Sequence, residues 1–467
     1  MDHYENTIAA PSTARGGAVA VVRVSGPEAL DCVDRIFSGK SSLVQAKGYS
    51  LHFGCIREAD GSLIDEVLVS VFRAPHSYTG ENAAEIACHG SDFIVSRILA
   101  RLLENGVKMA APGEFTQRAF LHGKMDLSQA EAVADLIAAQ TSAAHRIALK
   151  QLKGGFSEEL AGMRSELLQL ASLLELELDF SDEEVEFADR AQLRELVDKV
   201  LAHCRKLIES FRLGNAIKNG VPVAIVGNTN SGKSTLLNAL LGENRAIVSD
   251  IAGTTRDTIE ETCNLDGVLF RFIDTAGLRE SSDTIERIGI ERAYEKLAAA
   301  QLVLAMLDLS APLPDLLASA RDIAGRVTVE QQLVFLLNKA DKAQDKSVNA
   351  AREALKPLLD VPGRQVFVIS AKANAGLEEL RHALAASWQN LDTASETTLV
   401  TNTRHLEALQ NAAAALDRVR DGLCNALPSD LVAQDLRESL YHLGSIVGEV
   451  SNNEILGNIF RHFCIGK

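Results

Sequence analysis

The chain has 467 residues, 46% of them hydrophobic and 24% charged, with a formal net charge of −16. That length allows roughly two to four domains with cores of their own, and no apolar run approaches the ~20 residues of a membrane helix. The acidity excludes the basic stripe by which an autonomous nucleic-acid binder usually announces itself, so contact with RNA would need a local basic pocket or a positively charged partner. The start, "MDHYENTIAAPSTARGG", lacks the basic stretch and apolar core of a secretory signal, and a cytoplasmic address is expected. Seven cysteines scattered singly, with no C-x-x-C pair, argue against a disulfide framework and a structural zinc site. Most are expected to be half-buried, inert thiols.

In chain order, "GAVAVVRVSG" (17–26) predicts a strand ended by Gly26-Pro27, and "IDEVLVSVFRAP" (64–75) another. "DFIVSRILARLLENG" (92–106) has helical spacing with a glycine stop, so the first 120 or so residues form a mixed α/β domain. Leucine- and alanine-rich helical periodicity runs from Leu127 to about Arg212, and "DFSDEEVEF" (179–187) is expected as a solvated helix face or loop. Strand signals occupy Val221 to about Ile369, and helical periodicity resumes after about 385. One helical domain interrupted by an inserted α/β domain explains this order, because inserted domains need only closely spaced termini. Two independent helical domains are the alternative.

"VPVAIVGNTNSGKSTLLNALLG" (221–242) contains G-x-x-x-x-G-K-[ST] as Gly227, Gly232, Lys233 and Ser234. A strand, a glycine-bearing loop and a helix in that order aim backbone N–H groups at a phosphate chain. Lys233 is expected to reach the β- and γ-phosphates and Ser234 to ligate Mg²⁺. "DTAG" (274–277) follows an apolar strand, placing Asp274 behind Mg²⁺ and the Gly277 N–H at the γ-phosphate. In "NKAD" (338–341) Asp341 can accept two hydrogen bonds from guanine that adenine does not offer, and "SAK" (370–372) can bring a backbone N–H to guanine O6. Four short motifs in order at strand ends indicate a guanine-nucleotide site. Thr255, with Thr254 beside it, is the switch threonine expected to close over Mg²⁺. Leu278 stands where many such enzymes carry a water-orienting glutamine, so another group must supply that function.

"GTTRD" (253–257) and "DTAGLRESSDTIERIGIERA" (274–293) resemble the TrmE–Era–EngA group of GTPases, which lack that glutamine. The opening "NTIAAPSTARGGAVAVVRVSG", "PGEFTQRAFLHGKMDLSQAEAVADLI" (112–137) and the terminal "CIGK" extend the resemblance over the full length, to the TrmE (MnmE) family of tRNA-modifying GTPases. His122 is a minor departure from that family's pattern. The resemblance implies a multidomain α/β plus all-α protein: an N-terminal α/β tetrahydrofolate-binding domain (1–124), a helical domain in two parts (125–217 and 385–467), and a Ras-like P-loop GTPase domain (218–384) inserted between them.

It also implies the composition of the sites. GTP would be held by Asn230, Ser231, Gly232, Lys233, Ser234 and Thr235, by Ser249, Asp250, Ile251, Ala252, Gly253, Thr254 and Thr255, and by Asp274, Thr275, Ala276 and Gly277. Asn338, Lys339 and Asp341 with Ser370, Ala371 and Lys372 would hold the base. K⁺ would sit on Asn230 and on Ser249, Ile251 and Thr254, supplying the charge an arginine finger supplies elsewhere. Glu286 would orient the attacking water through a second water. With Lys233 and Thr255, Asn230 and Glu286 make up the catalytic set. Arg23, Glu85, Lys124 and the terminal Lys467 would hold 5-formyltetrahydrofolate or a relative, through carboxylate–cation pairs and a carboxylate on the pterin edge. That requires the C-terminal helix to fold back on the first domain.

Cys464 would lie near the one-carbon site, as nucleophile, acid–base group or packing residue. "CIGK" is a poor prenylation signal, with no polybasic stretch upstream. The implied activity is a K⁺-stimulated GTPase taking part in C5 modification of the tRNA wobble uridine, adding carboxymethylaminomethyl or aminomethyl groups. It would act as a homodimer with an FAD-containing MnmG-like partner and tRNA, away from membranes. A ribosome-assembly or regulatory GTPase switch without modification chemistry is the alternative, and folate binding discriminates the two.

Overall fold

The computed structural model describes residues 6–14, 16–179, 190–242, 261–273, 297–388, 398–425, 427–450, 453–460, 463 and 466. They divide into two compact units, Met1–Ile137 with Lys150–Val197 and Ala414–Lys467, and Ala138–Leu149 with Asp198–Ala413.

The first unit opens on a seven-stranded sheet in the order β3-β4-β5-β6-β2-β1-β7. Its strands are β1 (Ile8–Pro11), β2 (Val19–Ser25), β3 (Phe37–Gly39), β4 (Ser50–Arg57), β5 (Leu63–Phe72), β6 (Ala83–His89) and β7 (Lys108–Met109). All neighbouring pairs are antiparallel except β1 with β7. Period-2 alternation sorts the faces. Ala20, Val22 and Val24 of β2 and Ala84, Ile86 and Cys88 of β6 are buried. They pack with Leu30, Val33 and Ile36 of α1 (Ala29–Ile36) and Ile98 and Leu102 of α2 (Asp92–Glu104). The alternate positions, including Arg23 and Glu85, fall on the other face, where both side chains stay partly exposed.

Helices α3 (Glu114–Leu121), α4 (Leu127–Ala138) and α6 (Gly155–Asp179) complete this unit, while most of α5 (Ser142–Leu152) and of α7 (Arg190–Asn219) belongs to the second. In α6 the buried residues Leu160, Met163, Leu167, Leu170 and Leu174 alternate by three and four, one apolar stripe along the helix. It packs against a later helix, Ser429–Val447, whose Val432, Leu436, Leu440, Leu443 and Ile446 are buried. The last helix, Asn453–Phe460, sets Leu456 and Phe460 on Leu127 and Ala130. A Cβ on Gly113, at φ 70°, would come within 2.6 Å of the Phe460 carbonyl oxygen, so only glycine permits this approach of the C-terminal segment.

The second unit holds a six-stranded sheet in the order β13-β12-β11-β8-β10-β9. The strands are β8 (Val221–Gly227), β9 (Glu261–Leu265), β10 (Val268–Phe272), β11 (Leu302–Asp308), β12 (Gln332–Asn338) and β13 (Arg364–Val368). Every pair is parallel except β9 with β10. Leu302 through Leu307 are all buried, as a central parallel strand covered on both faces requires. The covering helices include α8 (Lys233–Leu241), α9 (Leu313–Arg326), α10 (Asp345–Leu359) and α11 (Leu377–Ala386), followed by α12 (Thr403–Cys424), α13 (Ser429–Val447) and α14 (Asn453–Phe460) along the rest of the chain. This is the inserted Ras-like α/β domain. Ala143, Ala144, Ile147, Ala216, Ile217 and Leu399, which periodicity assigns to helical segments, are buried in one cluster with side chains of β8, β9 and β10. The acidic 180–187 stretch lies outside the described residues.

Candidate functional site

The nucleotide site forms where β8, β11, β12 and β13 end together. Register pairs Met306 with Gly227, Asp308 with Asn338 and Leu337 with Val368, so the loops that follow these parallel strands emerge at one edge. That edge is the usual ligand crevice of an open parallel sheet. Gly227 ends β8 at φ 152°, and Asn230 adopts φ 61°, a left-handed conformation asparagine tolerates better than most residues. Gly232 follows at φ 101°, and a Cβ there would fall 2.4 Å from Asn338 Nδ2. No other residue fits. Helix α8 starts at Lys233, so its first N–H groups face the loop. Lys233 Nζ donates to the carbonyls of Gly227 and Asn228, both at 2.9 Å, and so arches over the loop. Burial lowers its pKa from the ordinary lysine value.

The base end is tied to this loop by one side chain. Asn338, buried at the tip of β12, donates from Nδ2 to the Ser231 carbonyl at 2.8 Å and accepts at Oδ1 from the Ala371 N–H at 3.0 Å. Phosphate loop, "NKAD" loop and "SAK" loop therefore share one fixed geometry. Ser370 Oγ donates to Asp341 Oδ1 at 2.6 Å, and this hydrogen bond holds the Asp341 carboxyl below the usual aspartate range. A charged acceptor is thus presented at the surface. Lys339 takes φ 66° and pairs with Asp308, a residue the sequence motifs did not single out. Ser234 and Thr235 lie in the first turn of α8, and Lys372 lies on the "SAK" loop. Ser249, Asp250, Ile251, Ala252, Gly253, Thr254, Thr255, Asp274, Thr275, Ala276, Gly277 and Glu286 lie outside the described residues.

The second cluster is in the N-terminal sheet. Arg23 and Glu85 face each other in register across β2 and β6, with Arg23 Nε donating to Glu85 Oε1 at 2.9 Å. The Arg23 guanidinium lies 5.2 Å from the Tyr78 ring centroid and 5.6 Å from that of Phe115. Tyr78 is fixed in turn by a 2.9 Å hydrogen bond to Thr116, and its burial raises its pKa. Arg23 Nη1 also reaches the Gly466 carbonyl at 3.4 Å, so Gly466 lies against the first domain. The exposed Lys124 donates to the Pro75 carbonyl at 3.0 Å, and His122 Nδ1 lies 2.7 Å from the Thr79 carbonyl oxygen. The segment from Pro75 to Thr79 thereby joins Lys124 to the Arg23 pocket. Tyr78 and Phe115 are the members that sequence reasoning missed; an aromatic among turn residues in "PHSYTGEN" was the available signal. Cys464 and Lys467 lie outside the described residues. Among the described cysteines, burial pushes Cys88 and Cys263 up to about 11 and Cys204 up to about 12, whereas Cys424 is exposed.

A doubly wound sheet, a G-x-x-x-x-G-K-S loop locked to an N-K-x-D loop, and a serine-backed aspartate define a P-loop GTPase. A family model described as the MnmE helical domain matches residues 127–464, and one described as the GTP-binding protein TrmE N-terminus matches residues 7–124. A tRNA modification GTPase MnmE from Parabacteroides distasonis is 52% identical over 99% of this chain and 100% of its own length. The protein of that name from Bacteroides thetaiotaomicron is 51% identical over 99% and 100%, and that from Flavobacterium johnsoniae 47% over 100% and 100%. The chain belongs to the MnmE family of tRNA modification GTPases.

Proposed function

We propose that this chain is a K⁺-stimulated GTPase that takes part in C5 modification of the tRNA wobble uridine. The observation that carries the guanine-nucleotide part is the Asn338 clamp, which ties the phosphate and base loops into one receptor. Lys233 binds the β/γ-phosphates, Ser234 and Thr255 take Mg²⁺, and Glu286 orients water. Asn230 supports the cation reading: it is exposed at the loop tip, held left-handed, with a carboxamide oxygen suited to a hard monovalent ion. With Ser249, Ile251 and Thr254 it would hold K⁺, which adds positive charge beside the reacting phosphate. That is the charge an arginine finger supplies elsewhere, worth on the order of 10³–10⁵ in rate, while Glu286 takes the water-orienting role of the glutamine absent at Leu278.

Hydrolysis by the purified chain in KCl against NaCl at equal ionic strength tests this. Marked K⁺ stimulation, lost in Asn230→Ala, is expected; equal rates would remove the cation from the mechanism and favour a ribosome-associated switch.

The N-terminal pocket fits a reduced folate in chemistry. A cation stacked on two aromatic rings, a neighbouring carboxylate and an exposed lysine match a flat pterin and an anionic glutamate tail. Bound there, 5-formyltetrahydrofolate or a relative would supply a one-carbon unit. Arg23, Glu85, Lys124 and Lys467 orient it, while Tyr78 and Phe115 exclude water from the Arg23 side. Calorimetric titration with 5-formyltetrahydrofolate checks this, with binding lost in Arg23→Ala; binding retained at full affinity would sink the assignment. The same reading includes the four-part division at 124/125, 217/218 and 384/385, a homodimer, an FAD-containing MnmG-like partner, tRNA as substrate and a cytoplasmic location. Among the described residues no helix is long and apolar enough to cross a membrane.

A further inference from the structure

His122 and Lys124 lie in the turn that closes α3, and both contact the same loop. The His122 N–H donates to the Arg118 carbonyl at 2.9 Å and the Lys124 N–H to the Ala119 carbonyl at 2.9 Å, so the helix end fixes both positions. Their side chains stand together over Gly80: a Cβ there would lie 3.0 Å from His122 Cβ and 3.5 Å from Lys124 Cδ. Each is tethered to a loop carbonyl, His122 Nδ1 at 2.7 Å from that of Thr79 and Lys124 Nζ at 3.0 Å from that of Pro75. Both residues are exposed. Tyr78, the ring beside Arg23, belongs to the same loop. One segment therefore supplies a wall of the Arg23 pocket and seats two basic side chains at its rim.

Among the described residues neither His122 nor Lys124 meets a carboxylate, in a chain whose net charge is −16. Glu81, on the same loop, turns inward to Arg118 and Ser25, and Glu85 is taken by Arg23. Asp126, two residues past Lys124, accepts from Ser128 Oγ and the Gln129 N–H. His76 and Tyr78 are the loop's remaining titratable groups, the first exposed and the second hydrogen-bonded to Thr116. A carbonyl only accepts, so His122 Nδ1 is the donor and carries a proton. Its Nε2 is then free to accept as imidazole or to donate as imidazolium. Histidine is the side chain that makes this change near neutral pH, and an anion beside it favours the charged form.

We propose that His122 reads the length of the folate tail: Lys124 takes the carboxylates of the first glutamate, and protonated His122 those of a second, γ-linked one. The inference rests on the folate reading of the N-terminal pocket and deepens it, naming an oligo-γ-glutamyl form as the preferred ligand. The longer tail binds with a proton taken from solvent onto Nε2, and no other bond is made or broken.

The test is calorimetric titration of the full chain with 5-formyltetrahydrofolate as the monoglutamate and as the triglutamate, in two buffers of different ionisation enthalpy near neutral pH. The triglutamate is expected to bind roughly 2- to 5-fold more tightly, the worth of an exposed ion pair. Its binding heat should depend on the buffer, because a proton is taken up. His122→Asn keeps a donor for the Thr79 carbonyl but carries no charge, and should abolish both the preference and the buffer dependence. His122→Lys restores a fixed charge and should recover the preference without the proton uptake. Equal affinity for the two forms in the wild type, a preference that survives His122→Asn, or a loss in that variant that follows a fallen thermal midpoint would overturn the proposal and leave the folate reading standing. Wild-type chain that bound neither form would instead overturn the folate reading, and this inference with it.

Discussion

At the nucleotide loop most of the decisive groups are main-chain, drawn from consecutive residues Gly227 to Lys233; at the N-terminal pocket they are side chains from strands 62 residues apart. The first kind of site is written into local spacing, because a loop of fixed length must put its N–H groups in one place. The second exists only after sheet register has paired Arg23 with Glu85 and the Pro75–Glu81 loop has brought Tyr78 beneath the guanidinium. One is a property of a segment, the other of a topology.

The comparison can be broken by substitution. The largest effect is expected at Lys233: Lys233→Ala should lower GTP hydrolysis by roughly 10²–10³-fold, the usual cost of removing one preorganised charge donor. Steady-state hydrolysis reads it. If the loop is defined by main-chain geometry, Gly232→Ala should be nearly as damaging, since its Cβ would meet Asn338 Nδ2 at 2.4 Å. Nucleotide affinity should drop on the order of 100-fold, and near-normal GDP binding in that variant would show that the loop is more plastic than its packing suggests.

For the topological site the matching perturbation is Arg118. This fully buried residue joins Asn6, Glu81 and Glu114 under the pocket, and Ser25 and Thr79 extend the network. Arg118→Met leaves two largely buried carboxylates without their cation and should cost about 3 kcal/mol in denaturant unfolding. Arg23→Ala should cost only ~1 kcal/mol, because its pair with Glu85 is partly exposed, while abolishing folate binding. A stability loss as large as that of Arg118→Met would make Arg23 a structural rather than a ligand-facing cation.

A further effect is confined to alkaline pH. Burial raises the folded pKa of Cys204 to about 12, against 9.0 for the unfolded thiol. The native state therefore keeps its proton where the unfolded chain loses it. This contribution is fully present below pH 9 and declines as pH rises towards 12, with a limiting slope of about 1.4 kcal/mol per pH unit. Cys204→Ala should flatten that part of the profile, and thiol labelling of the native protein should reach Cys424 well before Cys204.

Sequence by itself determined the nucleotide chemistry and the order of the folds. The phosphate-loop, base-loop and strand signals depend on residues within one turn of chain, and backbone geometry leaves such segments few conformations. It also foretold that the C-terminal helix folds back on the first domain, although by resemblance rather than spacing. Tertiary structure alone decided the rest: that Arg23 is paired rather than free, that Tyr78 and Phe115 flank it, that Ala143, Ile147 and Leu399 belong to the second unit's core, and that Asp308 holds Lys339. Each of these depends on which strands are neighbours and in what register. Pairing is settled by the burial of whole sheet faces, a sum over many residues distant in sequence that no short motif contains.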